Sequence, residues 1–358
     1  MKIVNNIFLF LATVLLLSGC GEKLDLSQFP ISNNGNINVA DTLYILQTPV
    51  WNGFNRPEDV LLGNEPLVYV ADTKNNRIVQ MDIAGGTIGE IAINNPRKLA
   101  QDYNFDLLVI ADSVVSTSDT VSIVYRINIV GAGGNISNAS KLTYIKSTYA
   151  TPNSSTLRKF TGIAVLTDNS VLITRVGPED QFGIDPGNAI LKVTGRTTAQ
   201  TVTVLPGFQS SGSSFYSIEN VSGICGVRNS STDFIITRST PDTTTLNKVL
   251  WFMYDNVNGT YDPKFTESSL GIVSAKFGKP DDVVQDPNQS VFVIDSYRNY
   301  LWKFNVTGKL MSESFGGLGT ESGKFNNPKG IAFYNKVIYI ADTDNNRIVR
   351  YRLSTDLN

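Results

Sequence analysis

Apolar positions along this chain fall in short runs of five to eight residues, not in helical stripes. Residues 68–78 read VYVADTKNNRI and residues 338–348 read IYIADTDNNRI, near copies at opposite ends of the sequence. Weaker copies stand between them: LLVIADS (107–113), SVLITRV (170–176), DFIITRS (233–239) and SVFVIDS (290–296). Each follows an entry run: FNRPEDV (54–60), NPRKLA (95–100), FTGIAV (160–165), VSGICGV (221–227), KPDDVV (279–284) and NPKGIAF (327–333). Each precedes a third alternation: RIVQMD (77–82), SIVYRINI (122–129), AILKVTG (189–195), KVLWFMYD (248–255), YLWKFNVTG (300–308) and RIVRYRL (347–353). Runs rich in Val, Ile, Tyr and Phe, bounded by Asn, Asp, Gly and Pro, predict short antiparallel strands. Pro57, Pro96, Pro280 and Pro328 sit where a strand begins, so their missing N–H costs no ladder bond. No segment keeps a capped helical period, so little helix is expected.

A fourth strand completes each unit at 87–93, 141–146, 201–205, 264–268 and 309–315. The sixth unit lacks one, whereas TLYILQT (42–48) stands unpaired before the first entry run. Pairing that strand with the last unit closes a ring and removes the open edge of a linear array. The pattern predicts an all-β, six-bladed β-propeller over 42–353, at roughly 52 residues per blade, with 354–358 as a short tail.

Pro-x-x-Val followed by apolar-Ala-Asp-Thr-x-Asn-Asn-Arg-Ile resembles the NHL repeat family. The likeness is strong in the first and sixth copies, moderate in the second and fifth, and faint in the third and fourth. It implies a propeller used for binding or scaffolding. Some propellers that resemble this one are lyases or lactonases with a metal in the channel, and some NHL propellers bind RNA.

Composition narrows these options. Histidine is absent, which removes the Ser-His-Asp and Cys-His nucleophile systems and the histidine–zinc centre of the amidating lyases related to NHL proteins. A net charge of −2 recruits neither nucleic acid nor an anionic membrane. Hydrophobic content of 41% with 17% charged residues indicates a large core.

The N-terminus carries an address. Lys2 precedes an apolar stretch from Ile7 to Leu17, too short for a permanent span, which takes about 20 residues. Leu17-Ser18-Gly19-Cys20 then resembles a bacterial lipobox, with Cys20 as the lipid-bearing residue. Residues 1–20 are thus expected to be a lipoprotein signal peptide, and 21–41, rich in Ser, Asn and Gly, a flexible tether. Gly21 after Cys20 points by resemblance to the outer membrane, periplasmic or surface-facing, with membrane contact through the lipid alone. Cys225 then has no disulfide partner and lies in an apolar run, as a packing thiol.

Candidate chemistry is confined to two places. Asp72 and Asp342, followed by Asn-Asn, read as turn formers, with Arg77 and Arg347 as partners. At the same repeat position the third and fourth blades carry Arg175 and Arg238. Those blades also hold long insertions with Phe182, Phe208, Phe215 and Tyr216, a candidate loop site. The second place is the channel mouth, ringed by Glu58 and Asp59, Arg97 and Lys98, Thr161 and Gly162, Ser222 and Gly223, Asp281 and Asp282, then Lys329 and Gly330. Such a mixed ring suits a polar or zwitterionic ligand, or a Ca²⁺ held through Asp59, Asp281 or Asp282. The expectation is a non-enzymatic module binding a protein or glycan. The alternative is a Ca²⁺-dependent hydrolase, lactonase or lyase at the mouth.

Overall fold

The computed structural model describes residues 42–116, 119–149, 155–179, 185–196, 200–240, 246–267 and 271–357. The leader, Cys20, the tether and Phe182 lie outside the described residues. Six four-stranded antiparallel sheets are present. From inner to outer strand, blade 1 comprises β2 (Asp59–Leu62), β3 (Leu67–Asp72), β4 (Arg77–Asp82) and β5 (Thr87–Ala92). Blade 2 follows with β6 (Lys98–Gln101), β7 (Asp106–Val114), β8 (Thr120–Asn128) and β9 (Lys141–Lys146). Blade 3 holds β10 (Lys159–Val165), β11 (Val171–Val176), β12 (Ala189–Thr194) and β13 (Thr201–Val204). Blade 4 holds β14 (Val221–Gly226), β15 (Phe234–Arg238), β16 (Val249–Asp255) and β17 (Thr260–Pro263). Blade 5 holds β18 (Pro280–Gln285), β19 (Val291–Asp295), β20 (Tyr300–Phe304) and β21 (Phe315–Gly316). Blade 6 combines β22 (Gly330–Tyr334), β23 (Val337–Asp342) and β24 (Arg347–Leu353) with the N-terminal β1 (Tyr44–Trp51).

The closure is the one the unpaired strand predicts. Tyr44 pairs with Leu353 and Gln47 with Arg350, and after a register shift Trp51 meets Ile348. Beyond the strands, the Ser354 N–H donates to the Leu43 carbonyl at 2.7 Å, extending the seam into the chain's last residues.

Two outer strands differ from expectation. In blade 4 the tight turn at Asn256–Gly259, with Gly259 at φ +70°, starts the return strand at Thr260, not at Lys264. Lys264 instead lays its ammonium 3.5 Å from the centre of the Trp251 ring. In blade 5 Ser314 turns back on Met311 and its hydroxyl accepts the Lys303 N–H, so only Phe315–Gly316 pairs as strand. Among the described residues helix is limited to the four residues of α1 (Gly271–Ser274) and a few 3₁₀ turns.

Core packing explains why the second strand of each blade reads as continuous apolar sequence. Both faces of a blade are covered, so alternate residues serve opposite neighbours. Val68 and Val70 join the cluster shared with blade 6, whereas Tyr69 and Ala71 join the one shared with blade 2. Ile338 and Ile340 likewise face blade 5, and Tyr339 and Ala341 face blade 1. Six such clusters fill the six junctions.

The repeated Asp-Thr-x-Asn-Asn-Arg segment is a clasp in both strong copies. Asp72 accepts the Asn55 N–H at 2.7 Å and pairs with Arg77 at 2.8 Å. Asp342 does the same with Asn326 and Arg347, at 2.7 Å each. The Thr73 hydroxyl donates to the Pro96 carbonyl of the next blade at 2.7 Å, and Thr343 to Pro57 at 2.8 Å. Asn76 and Asn346 adopt the left-handed turn their short amide side chains tolerate, and their side chains hold the next blade's entry loop.

Candidate functional site

The entry of each inner strand lies at one end of the channel, and two consecutive residues of each entry form two stacked rings. The outer ring is Glu58, Arg97, Thr161, Ser222, Asp281 and Lys329. All six line an open cavity of ≈ 550 Å³, together with Asn95, Asp112, Lys159, Asn220 and Ser239. The inner ring is Asp59, Lys98, Gly162, Gly223, Asp282 and Gly330. Of these, Asp59, Lys98, Gly162 and Asp282 border a second cavity of ≈ 260 Å³, walled also by Leu62, Ile163, Ile224 and Phe333. The residues expected at one opening thus occupy two levels, with Asp59 and Asp282 on the deeper one. Lys98 borders both cavities.

Lys98 bars the channel between the two cavities. Blades 2 and 5 face each other across a six-membered ring, and Lys98 Nζ reaches Asp282 Oδ2 at 3.0 Å. The ammonium also donates to the Lys329 carbonyl at 3.1 Å and the Asp281 carbonyl at 3.4 Å. Asp59 accepts the Leu99 N–H at 2.7 Å and the Val60 N–H at 2.9 Å. Asp282 accepts the Val283 N–H at 3.0 Å and, more weakly, the Ile331 N–H. These two carboxylates thus tie adjacent blades together. Burial lowers the Lys98 pKa, but Asp282 and Asp59 outweigh it and hold the side chain charged, above the ordinary lysine value. Burial likewise pushes Asp59 up, with Lys98 opposing and Asp282 adding to the rise.

The three glycines make this crossing possible. A Cβ on Gly330 would lie 2.5 Å from Asp59 Cα, and one on Gly223 would lie 2.8 Å from the Asp281 carbonyl oxygen. Gly330→Ala should therefore destabilise the protein by about 1–3 kcal/mol through overpacking, read as a lower denaturant midpoint with unchanged slope.

Above the bar, most charges are already matched. Lys329 pairs with Glu58 at 2.8 Å, and Arg97 pairs with Asp112 at 2.8 Å. Asp281 is different. Burial pushes its carboxyl up to about 6, against the pull of the Ser296 hydroxyl, Lys98 and Lys329. Its buried Oδ2 has no hydrogen-bond partner among the described residues. Because the folded-state pKa lies above the unfolded one, ionised Asp281 costs stability as pH rises from about 4, and fully above about 6. Asp281→Asn should stabilise the protein by about 1–3 kcal/mol at pH 7.5 and leave it unchanged at pH 4, measured by denaturant melts at both values.

The carboxylates do not fit a calcium centre. Ca²⁺ takes six to eight oxygens, mostly from converging carboxylates and carbonyls. Asp59 and Asp282 are engaged by backbone N–H groups, and the Lys98 ammonium sits on Asp282. Among the described residues no three Asp, Glu, Cys or His side chains converge on a metal position.

The divergent-blade candidates turn inward. Arg175 is fully buried and pairs with Asp185 of the insertion, which also holds Arg158. Arg238 is also buried, and donates to the carbonyls of Gly212 and Glu219 and to the Ser217 hydroxyl. An arginine where other blades carry aspartate therefore pins its own insertion, with the polarity of the clasp reversed. Phe215 is half-buried against the clusters flanking blade 4. Tyr216 packs on the same blade and bonds Asp262 at 3.2 Å. Besides Thr161 and Ser222, these blades give the mouth Lys159, Val176, Asn220 and Ser239, which were not singled out from sequence. Lys159 stands directly before the third entry run, the signal that was there to read. Cys225 borders the lower cavity, and burial raises its thiol well above the ordinary value, as a packing thiol requires.

The sequence matches no protein-family model and no curated protein. Solved structures share the fold. An auxiliary nutrient binding protein from Bacteroides thetaiotaomicron is 13% identical, over 84% of this chain and 70% of that one, with a TM-score of 0.56. A gluconolactonase from Xanthomonas campestris is 12% identical, over 85% and 87%, with a TM-score of 0.57. A streptogramin B lyase is 13% identical, over 87% and 98%, with a TM-score of 0.52. Binding and catalytic proteins both occur among them, so the likeness establishes the fold and leaves the chemistry to the site.

Proposed function

We propose that this chain is a bacterial NHL-type lipoprotein, anchored at Cys20 to the outer membrane, whose propeller binds a protein or glycan at the channel mouth without transforming it. One observation carries the reading: a cavity of ≈ 550 Å³ ringed by charged side chains opens on the face reached by the long connections of blades 3 and 4. That volume lies within the range of ligand sites. Two of the mouth's three acids are already paired. Glu58 and Asp112 are neutralised by Lys329 and Arg97, and with no histidine in the chain the histidine-based nucleophile systems are missing. A Bacteroides protein of the same fold described as nutrient-binding accords with this reading.

The test uses the full chain. Cys20→Ala should move it from the membrane to the soluble fraction. The immobilised protein should retain a component of envelope protein or glycan extracts, and Lys159→Glu should abolish retention. Its melting temperature should be indifferent to Ca²⁺ and EDTA. Retention indifferent to Lys159, or a calcium-dependent rise in melting temperature with turnover of a lactone or ester, would replace this reading with the hydrolase one.

A further inference from the structure

Charge pairing at the mouth leaves two groups over. Three cations meet carboxylates there: Lys329 with Glu58, Arg97 with Asp112 and Lys98 with Asp282. Lys159 lines the same cavity and has no ion-pair or hydrogen-bond partner among the described residues. Asp281 lines it as well, with an orphaned buried oxygen. One belongs to blade 3 and the other to blade 5, so they flank the entry of blade 4.

Between them lie groups suited to a peptide. Ser239 and Asn220 border the cavity, and only their backbones are engaged with each other, Ser239 N–H donating to the Asn220 carbonyl at 2.8 Å. That leaves a hydroxyl and a carboxamide for amide groups of a ligand. Phe160, Val176 and Val221 supply apolar wall. A buried carboxylate kept without a full hydrogen-bond set lowers stability, a cost typical of binding sites.

We propose that the mouth recognises a short peptide with free termini, its ammonium at Asp281 and its carboxylate at Lys159, lying across the entry of blade 4. This rests on the mouth being the binding site and adds the class of ligand. Such a ligand gives the Asp281 Oδ2 a donor and the Lys159 ammonium an acceptor, in one zwitterion. The cavity volume accommodates a few peptide residues.

The probe is a pool of tripeptides of uncharged residues, offered free, N-acetylated or C-amidated to the full chain and read by saturation-transfer NMR. The free pool should bind at least tenfold better than either blocked pool. Asp281→Asn should erase the preference for free over acetylated peptide, and Lys159→Gln the preference for acid over amide. Equal signals from the three pools, no signal from any, or preferences unchanged in both variants would overturn the proposal. If extract retention still depends on Lys159 while no tripeptide binds, only the ligand class falls. If retention is also indifferent, the mouth reading falls with it.

Discussion

Replacing Lys98 with methionine should cost about 3–5 kcal/mol, the range for removing one partner of a buried ion pair. Methionine retains most of the stem, so the loss is of charge and not of volume. Asp282 would then sit in the channel with no ammonium, where the structure now places one at 3.0 Å. A melting temperature lower by roughly 6–10 °C follows, at about 2 °C per kcal/mol for a domain of this size. The sign with pH is diagnostic. Burial already raises the neighbouring Asp59 carboxyl against the pull of Lys98, so losing the ammonium raises it further and makes a penalty that is absent in acid and grows as pH rises. The variant should therefore approach the parent near pH 4 and fall behind it at pH 7.5. Adding Asp282→Asn should recover part of the loss at neutral pH, because the two side chains act as a unit. A flat pH response would mean that Lys98 only fills space.

Removing residues 42–51 should have a larger effect still. Those residues supply the outer strand of blade 6 and pack Tyr44, Leu46 and Val50 against the junction with blade 5. Trp51 is 5% exposed and belongs to the junction with blade 1, with Arg350 stacked 4.3 Å from its ring centre. Trp51→Ala alone should cost about 3–5 kcal/mol. Without the whole strand, β24 becomes an open edge and two junctions lose packing, so the chain should lose its cooperative melt and associate. Size-exclusion chromatography and thermal unfolding at matched concentration would show it. A monomer with an unchanged melt would contradict this account of the closure.

The fold was legible because the repeat is dictated by packing. A blade buried on both faces writes a run such as VYVAD, and a last unit one strand short demands a partner from the other terminus. The outer strands of blades 4 and 5 were harder to place. Their position depends on where a hairpin turns, and Gly259 and Ser314 decide that locally. The site was legible in composition but not in pairing. The alternation of acidic and basic entries was visible, yet nothing local says that Lys98 crosses to Asp282. The available signal was the second residue of each entry: Asp59, Lys98, Gly162, Gly223, Asp282 and Gly330. Three glycines beside opposite charges in facing blades describe a side chain crossing a narrow channel. Arg175 and Arg238 misled for a related reason. A break in a repeat marks a binding residue only if it faces solvent, and Asp185, the buried partner of Arg175, lies in an insertion with no repeat to mark it.

All of this depends on the ring being shut by its first strand. Ile45→Cys with Arg352→Cys, opposite each other in the antiparallel register, tests that contact directly. Mild oxidation of the folded chain should give an intramolecular disulfide linking peptides around 45 and 352 in mass spectrometry, with a raised melting temperature. No such link, or one formed only between molecules, would show that the two ends of the chain do not meet.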